Sequence, residues 1–238
     1  MTRNNLDFRG TWTELFGTVI VVTLLTLITC GIYAPWGYAQ MRRVVLAHTF
    51  YRDRPLRFDG TGGQVFGELL WILLFTVITL GLYPLLGFAQ VRLLKWECEH
   101  TILPDGRRLE YRGSAFNLFG QYLLIGLLST LTLGIYYFWG YTQFRRHIIA
   151  HTFIQGYGNP FQFTGTGGQY LGVALVNLLL TIITLGIYSL LGFAMVRTLK
   201  WDTGNTVVPF DDRSSSSSTE SNNVGAPSGV NITVNVTR

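Results

Sequence analysis

The sequence predicts an all-α fold, a polytopic membrane helical bundle of four internal repeats in the order ABAB. Each repeat reads as a long spanning helix followed by a shorter Arg-bearing helix. Three observations predict this. An apolar stretch ending in Gly, an aliphatic residue and Tyr occurs four times, at Gly31 to Tyr33, Gly81 to Tyr83, Gly134 to Tyr136 and Gly186 to Tyr188. Charge-free runs cover 15–41, 69–91, 113–144 and 148–196, and about 20 apolar residues suffice to span a bilayer as a helix. Charged residues make up 13% of the chain, about half the roughly 25% of soluble domains.

Each repeat opens on an aromatic residue two positions before a Gly: Phe8 and Gly10, Phe58 and Gly60, Tyr111 and Gly113, Phe163 and Gly165. The interval from the opening Gly to the Gly before the Tyr is the same every time: Gly10 to Gly31, Gly60 to Gly81, Gly113 to Gly134, Gly165 to Gly186. Such fixed spacing marks an internal repeat. Thr11, Thr61 and Ser114 are suited to cap the first helix. Gly17, Gly67, Gly120 and Gly172 recur at one fixed position after the opening Gly, where small residues let membrane helices approach closely. Each helix is read to stop at Gly31, Gly81, Gly134 or Gly186, because Gly accepts the left-handed conformation beyond a helix end. Tyr33, Tyr83, Tyr136 and Tyr188 then suit a membrane interface, ring in lipid and hydroxyl in water.

The second segments set the alternation. Arg42, Arg92, Arg145 and Arg197 all stand at the same distance after the central Gly. Units one and three add Arg43 or Arg146 and then His-Thr-Phe. Units two and four carry Lys95-Trp96 and Lys200-Trp201. Repeat pair one covers 1–105 (units 8–57 and 58–105), and repeat pair two covers 106–210 (units 111–160 and 163–203). The linkers at 56–58, 109–111 and 161–163 alternate apolar and polar residues, as short strands do. Residues 211–238 read as a disordered Ser/Asn-rich tail. Four long helices would span the bilayer. The shorter ones would lie at the interface or dip into it, with Arg toward headgroups, water or a central cavity.

The candidate chemistry centres on Arg. Arg42, Arg92, Arg145 and Arg197 suit either a ring around a cavity or a grip on lipid phosphates, with snorkelling at the bilayer edge as the plainer alternative. Thr29, Thr79, Thr132 and Thr184, two before the central Gly, are expected to bond their own helix carbonyls. Gln40, Gln90 and Gln143 recur in the second segments. His147 and His151 share a helix face, but no carboxylate or Cys stands at ligand spacing, so no metal site is read. Cys30 and Cys98 form no CxxC pair, and neither a disulfide framework nor zinc is indicated. Thr61-Gly62-Gly63-Gln64 and Thr166-Gly167-Gly168-Gln169 lack the Lys-Ser/Thr of a phosphate loop. No catalytic residues and no cofactor are read. The net charge of +5 lies beside apolar runs, which points to anionic headgroups rather than nucleic acid. No cleavable signal peptide is apparent.

Leu131–Tyr136, Trp139, Arg145-Arg146, His151-Thr152 and Phe161–Gly165 resemble the repeat of the YjgN-like family, bacterial inner-membrane proteins of unknown function. Ile28–Tyr33, Trp36, Arg42-Arg43, His48-Thr49 and Phe58–Gly60 are similar to it. Units two and four depart, with Leu86 and Leu191 in place of Trp, and are read as lacking the His-Thr pair. The resemblance covers roughly 8–203 and implies a multi-pass protein of the bacterial inner membrane, without supplying an activity. Two functions fit: permeation of a small solute or ion, or a non-catalytic membrane scaffold. The scaffold would bind anionic lipid or form a homo-oligomer through its Gly-lined faces.

Overall fold

The computed structural model describes residues 5–209. The tail assigned to 211–238 lies outside the described residues. Unit one runs β1 (Asp7–Phe8), α1 (Trp12–Ile28), α2 (Ala34–Ala47) and β2 (Thr49–Tyr51), with β3 (Arg54–Pro55) after it. Unit two runs β4 (Arg57–Phe58), α3 (Gly62–Ile78), α4 (Leu82–Leu85), α5 (Phe88–Glu99) and β5 (Thr101–Ile102). Unit three is β6 (Leu109–Tyr111), α6 (Ala115–Leu131), α7 (Tyr137–Ala150) and β7 (Thr152–Ile154). Unit four is β8 (Gln162–Phe163), α8 (Gly167–Ile183), α9 (Ile187–Leu190), α10 (Phe193–Gly204) and β9 (Thr206–Val207).

Every unit is a helical hairpin closed at its base by its own two end strands. β1 pairs antiparallel with β2, β4 with β5, β6 with β7 and β8 with β9. The opening Gly is needed for this closure. At Gly10, Gly60, Gly113 and Gly165 an added Cβ would enter the ring of the aromatic residue two positions earlier. The first helices start from capping boxes at Thr11, Thr61 and Thr166, where the N3 side chain reaches back to the cap. In unit three Ser114 holds the cap position without a side-chain hydrogen bond.

The hairpin ends are built identically. Cys30, Leu80, Leu133 and Leu185 have φ of 49°, 52°, 52° and 49°, and the Gly after each lies between 89° and 92°. Two consecutive left-handed residues thus turn the chain. The Gly N–H closes a six-residue loop onto Thr26, Thr76, Ser129 or Thr181 at 2.7 Å, the bond typical of a Schellman end. Thr29, Thr79, Thr132 and Thr184 donate to the carbonyl four residues back, as the sequence suggests. The same hydroxyls also accept the N–H of the Tyr four residues on, at 2.9–3.0 Å. One oxygen therefore ends one helix and begins the next.

This geometry corrects the fold expected from sequence. No helix among the described residues is long and apolar enough to cross a membrane. The four first helices have 17 residues each, about 25 Å at 1.5 Å per residue against a hydrocarbon core of about 30 Å. The described residues therefore do not form a bundle of spanning helices. Each charge-free run passes through a Gly stop and comes back, and the fourth also takes in the end of α7, β7 and β8, so no run is a single helix. The length of the run overstates the length of the helix.

Each hairpin packs on the next, and the chain closes into a ring. Trp36 of α2 covers Gly62 at the head of α3, and Trp139 of α7 covers Gly167 at the head of α8. Gly87, at the head of α5, abuts the Ala115 carbonyl of α6. Phe193 of α10 packs on Trp12 of α1 at 4.9 Å. The Leu6 N–H donates to the Thr206 carbonyl at 2.9 Å and seals the last seam. Residues from the bases of all four units share one core, and the Gly turn of each hairpin stands at the end away from its paired strands. The main core, with Phe58, Trp96, Ile154, Phe163 and Val208, lies under the ring. The hairpin ends lie outside it: Leu80, Leu133 and Leu185 are 93%, 94% and 93% exposed.

Candidate functional site: a central cavity with two ion pairs

A cavity of about 170 Å³ lies where the four second helices meet. Each unit contributes four residues spaced i, i+3, i+4, i+7: Arg42 to Thr49, Leu94 to Thr101, Arg145 to Thr152 and Leu199 to Thr206. That spacing is one face of a helix, presented four times. The first position alternates Arg, Leu, Arg, Leu. The second alternates Val45, Glu97, Ile148, Asp202. Arg42 pairs with Glu97, and Arg145 pairs bidentately with Asp202, Nε to Oδ1 at 2.8 Å. Glu97 also accepts the Tyr38 hydroxyl at 2.7 Å. Burial lowers the Arg145 pKa, but the charge and hydrogen bonds of Asp202 win, and the net shift is upward.

Burial pushes the Cys98 thiol, on this wall, up to about 12, and neighbouring Glu97 adds to it. Burial likewise raises Tyr38, and it raises Tyr141 to about 12. Thiolate and phenolate are thereby disfavoured at these three side chains. The His147 and His151 rings lie 4.4 Å apart, tilted by 41°. Burial first, then His151, holds the His147 pKa below its usual value.

The other candidates from the sequence fall in different places. Arg92 pairs with Glu68 of its own hairpin, and its guanidinium lies 5.7 Å from the Trp71 ring. Arg197 is exposed and makes no ion pair among the described residues. A Cβ at Gly17, Gly67, Gly120 or Gly172 would meet nothing within 4 Å, so these are not close-approach positions within the chain. The close approaches occur instead at Gly37 against Val22 and Gly140 against Ile125. Gly31, Gly81, Gly134 and Gly186 stand at the hairpin turns. The Tyr33 and Tyr136 hydroxyls donate to Gln40 and Gln143 at 3.3 Å, Tyr188 donates to Asn177 at 3.2 Å, and Tyr83 stacks on Phe75 and Phe88.

Sequence reasoning misses Glu97 and Asp202. Both follow directly after the Lys-Trp of units two and four, and that shared position is the available signal.

A family model described as "Bacterial protein of unknown function (DUF898)" matches residues 3–75 and 158–212, more than half the chain. The chain belongs to this family. It is the YjgN family that the repeat resembles. In the ring the two matched stretches of the DUF898 model adjoin, through the bridge between Asn5 and Val207. No match is found among curated proteins or solved structures.

Unit two does carry the His-Thr pair, as His100-Thr101, and unit four has Asn205-Thr206 in its place, which corrects the reading of units two and four. His48, His100 and His151 turn Nδ1 to the carbonyl four residues back at 2.7–2.8 Å, and Asn205 donates there through Nδ2 at 2.7 Å. Thr49, Thr101, Thr152 and Thr206 do the same one residue later. These caps end each second helix and line the cavity floor with buried hydroxyls.

Proposed function

We propose that this protein is a non-catalytic membrane scaffold, seated in one leaflet of the bacterial inner membrane by its four hairpin ends and bound to anionic lipid. The observation that carries the reading is at the turns. Leu80, Leu133 and Leu185 are 93–94% exposed and lie at φ of 49–52°. An L-residue in that region costs about 1–2 kcal/mol, and an unburied Leu forgoes roughly 1.5–3 kcal/mol. Gly or Asn would relieve both. Leu at such a turn is useful when something apolar covers it, and a lipid leaflet is such a cover. Leu27, Ile28, Ile32, Val77, Ile78, Ile182 and Ile183 extend the patch, each at least 62% exposed. It exceeds what isolated surface residues require and matches interfacial insertion without crossing. Exposed Arg197 and Lys200 leave cations for headgroups.

Vesicle flotation of the full chain tests this. With vesicles containing anionic lipid the protein should float. Changing Leu80, Leu133 and Leu185 together to Asp should abolish flotation, at about 2.5–3.5 kcal/mol per buried carboxylate. Arg197→Gln with Lys200→Gln should weaken it more at low salt than at high salt. A folded wild-type chain that stays at the bottom of the gradient would defeat the proposal. Permeation has one supporting observation, the position of the cavity where the four units meet. Its two cations are each matched by a carboxylate, so it offers no net charge to draw an ion, and it ranks second. Solute flux through proteoliposomes that vanished in Arg42→Gln with Arg145→Gln would reverse that order.

A further inference from the structure

The four seams of the ring are not equivalent. Units one and two are sealed by Trp36 on Gly62, and units three and four by Trp139 on Gly167. The closing seam has Trp12 against Phe193. Between units two and three neither side supplies a Trp: the corresponding residues are Leu86 and Ala115. An open, mostly apolar cleft of about 490 Å³ remains there, lined by Pro84, Leu85, Gln90, Phe119, Leu123 and Leu127. That volume is within the range of small-molecule sites, about 300–1,000 Å³.

Tyr122 also lines the cleft, and among the described residues one buried polar atom in it is unanswered. In units one and three the Gln nine residues after the central Gly accepts a Tyr hydroxyl, Gln40 from Tyr33 and Gln143 from Tyr136. In unit two Tyr83 stacks on Phe75 and Phe88 instead. The Gln90 Oε1 is buried without a hydrogen-bond partner, a costly state for an amide oxygen. The lining residues Leu85, Leu123 and Leu127 are also 61%, 61% and 58% exposed, so the cleft is continuous with the apolar hairpin surface.

The geometry points to a lipid site in this seam: one acyl chain lies in the cleft, and a hydroxyl or ammonium of the same molecule donates to Gln90 Oε1. The occupant is supplied by the leaflet, so the inference rests on the membrane reading above. Gln90 recognises the donor, and the missing Trp leaves room for the chain.

The test uses the full chain in detergent with a photoreactive monoacylglycerol carrying a diazirine in its acyl chain, and the methyl ester of the same acid as control. Peptide mapping should place the cross-links at 84–90 and 119–127. Leu86→Trp with Ala115→Gly, which copies the sealed seams, should reduce labelling there to the level of the other three. Gly126→Leu fills the cleft independently should the double variant fail to fold. Gln90→Leu should keep the labelled position and lose the preference for monoacylglycerol over the methyl ester. Labelling spread evenly over the four seams, or unchanged in both filled variants, would overturn the site. Because the probe is delivered in detergent, flotation of the wild type separates the two claims. A chain that floats without labelling the seam defeats this inference alone, and one that does neither defeats both.

Discussion

Units one and three are shorter than units two and four by two positions between turn and base. The stretch from Gly31 to His48 equals that from Gly134 to His151, whereas the stretches from Gly81 to His100 and from Gly186 to Asn205 are both two positions longer. The extra length is absorbed by a break at Gly87 and Gly192, with φ of 85° and 83°, which splits off the short helices α4 and α9. Measured from the turn, Arg42 and Arg92 are equivalent. Measured from the strand at the base, they are two positions out of phase, about 200° around a helix. Arg42 consequently faces the cavity and Arg92 faces its own hairpin. The base is the end held by the core, and it decides where a side chain points. The same shift brings Glu97 and Asp202 into the cavity, opposite the Arg residues of the odd units.

The comparison breaks most sharply at the ion pairs. Asp202→Asn leaves the Arg145 guanidinium, the more buried of the two, without its counter-charge, a loss of about 3 kcal/mol; Glu97→Gln should cost less, because the Arg42 side chain is 33% exposed. Glu68→Gln, the even-unit counterpart on the open flank, should cost under about 1 kcal/mol. Chemical denaturation of the three variants in one detergent gives the ranking directly. Equal losses at Asp202 and Glu68 would mean that the cavity pairs are no more buried than the flank pair.

The glycines sharpen the same contrast. Gly87→Ala places a Cβ at φ of 85° against the Ala115 carbonyl and should destabilise by about 1–2 kcal/mol. Gly120→Ala, in a helix and facing open space, should stabilise by roughly 0.5–1 kcal/mol. Thermal unfolding of the pair reports opposite signs. Two losses would show that Gly120 serves an interface with a second copy.

Thiol chemistry separates the units on a smaller scale. Cys30 sits exposed at the turn of unit one, and Cys98 lines the cavity in unit two. With its thiol pushed up to about 12, Cys98 should resist iodoacetamide at pH 8 in lipid-free protein, while Cys30 reacts there and is shielded once vesicles are added. Both should react in denaturant. Mass mapping of the modified peptides decides it, and rapid labelling of Cys98 in the folded chain would mean that the cavity opens readily.

Much of this is legible in the residues. The Gly spacing marks out the four units and their turns, because a left-handed turn has few solutions. The alternating linkers 109–111 and 161–163 become β6 and β8. The Thr before each turn is legible as a carbonyl donor, but its second bond, to the Tyr N–H, needs the return of the chain to be visible. The spanning helices are a misreading, because hydropathy does not register a reversal of direction. Glu97 and Asp202 escape notice because carboxylates counted by number look sparse. Their meaning lies in a face of four residues that only a common base register exposes. The His-Thr pair of unit two is missed for the same reason: it stands two positions farther from its Gly than the odd units place theirs.

The weakest expected effect lies at the outer rim, where the base of unit two meets that of unit three. Arg108 donates to both oxygens of Asp59, at 3.2 and 2.5 Å, and to the Glu99 carbonyl at 2.6 Å. The hydrogen bond from Arg108 holds the Asp59 carboxyl below its ordinary value. A carboxyl depressed in the folded state stabilises above its unfolded pKa, about 4, and the contribution is lost as pH falls through the folded value. Both side chains are about 40% exposed, so water and salt screen the pair, and Asp59→Asn should cost no more than about 1 kcal/mol at pH 7. The difference between wild type and variant should shrink as pH falls below the ordinary carboxylate range and vanish once the folded carboxyl is protonated, and it should also fall as salt is raised. At the cavity, by contrast, salt should leave the cost of Asp202→Asn almost unchanged, because few ions reach a pair closed in by four helices. A parallel fall of both with salt would place the two pairs in the same solvent and remove the distinction between rim and cavity.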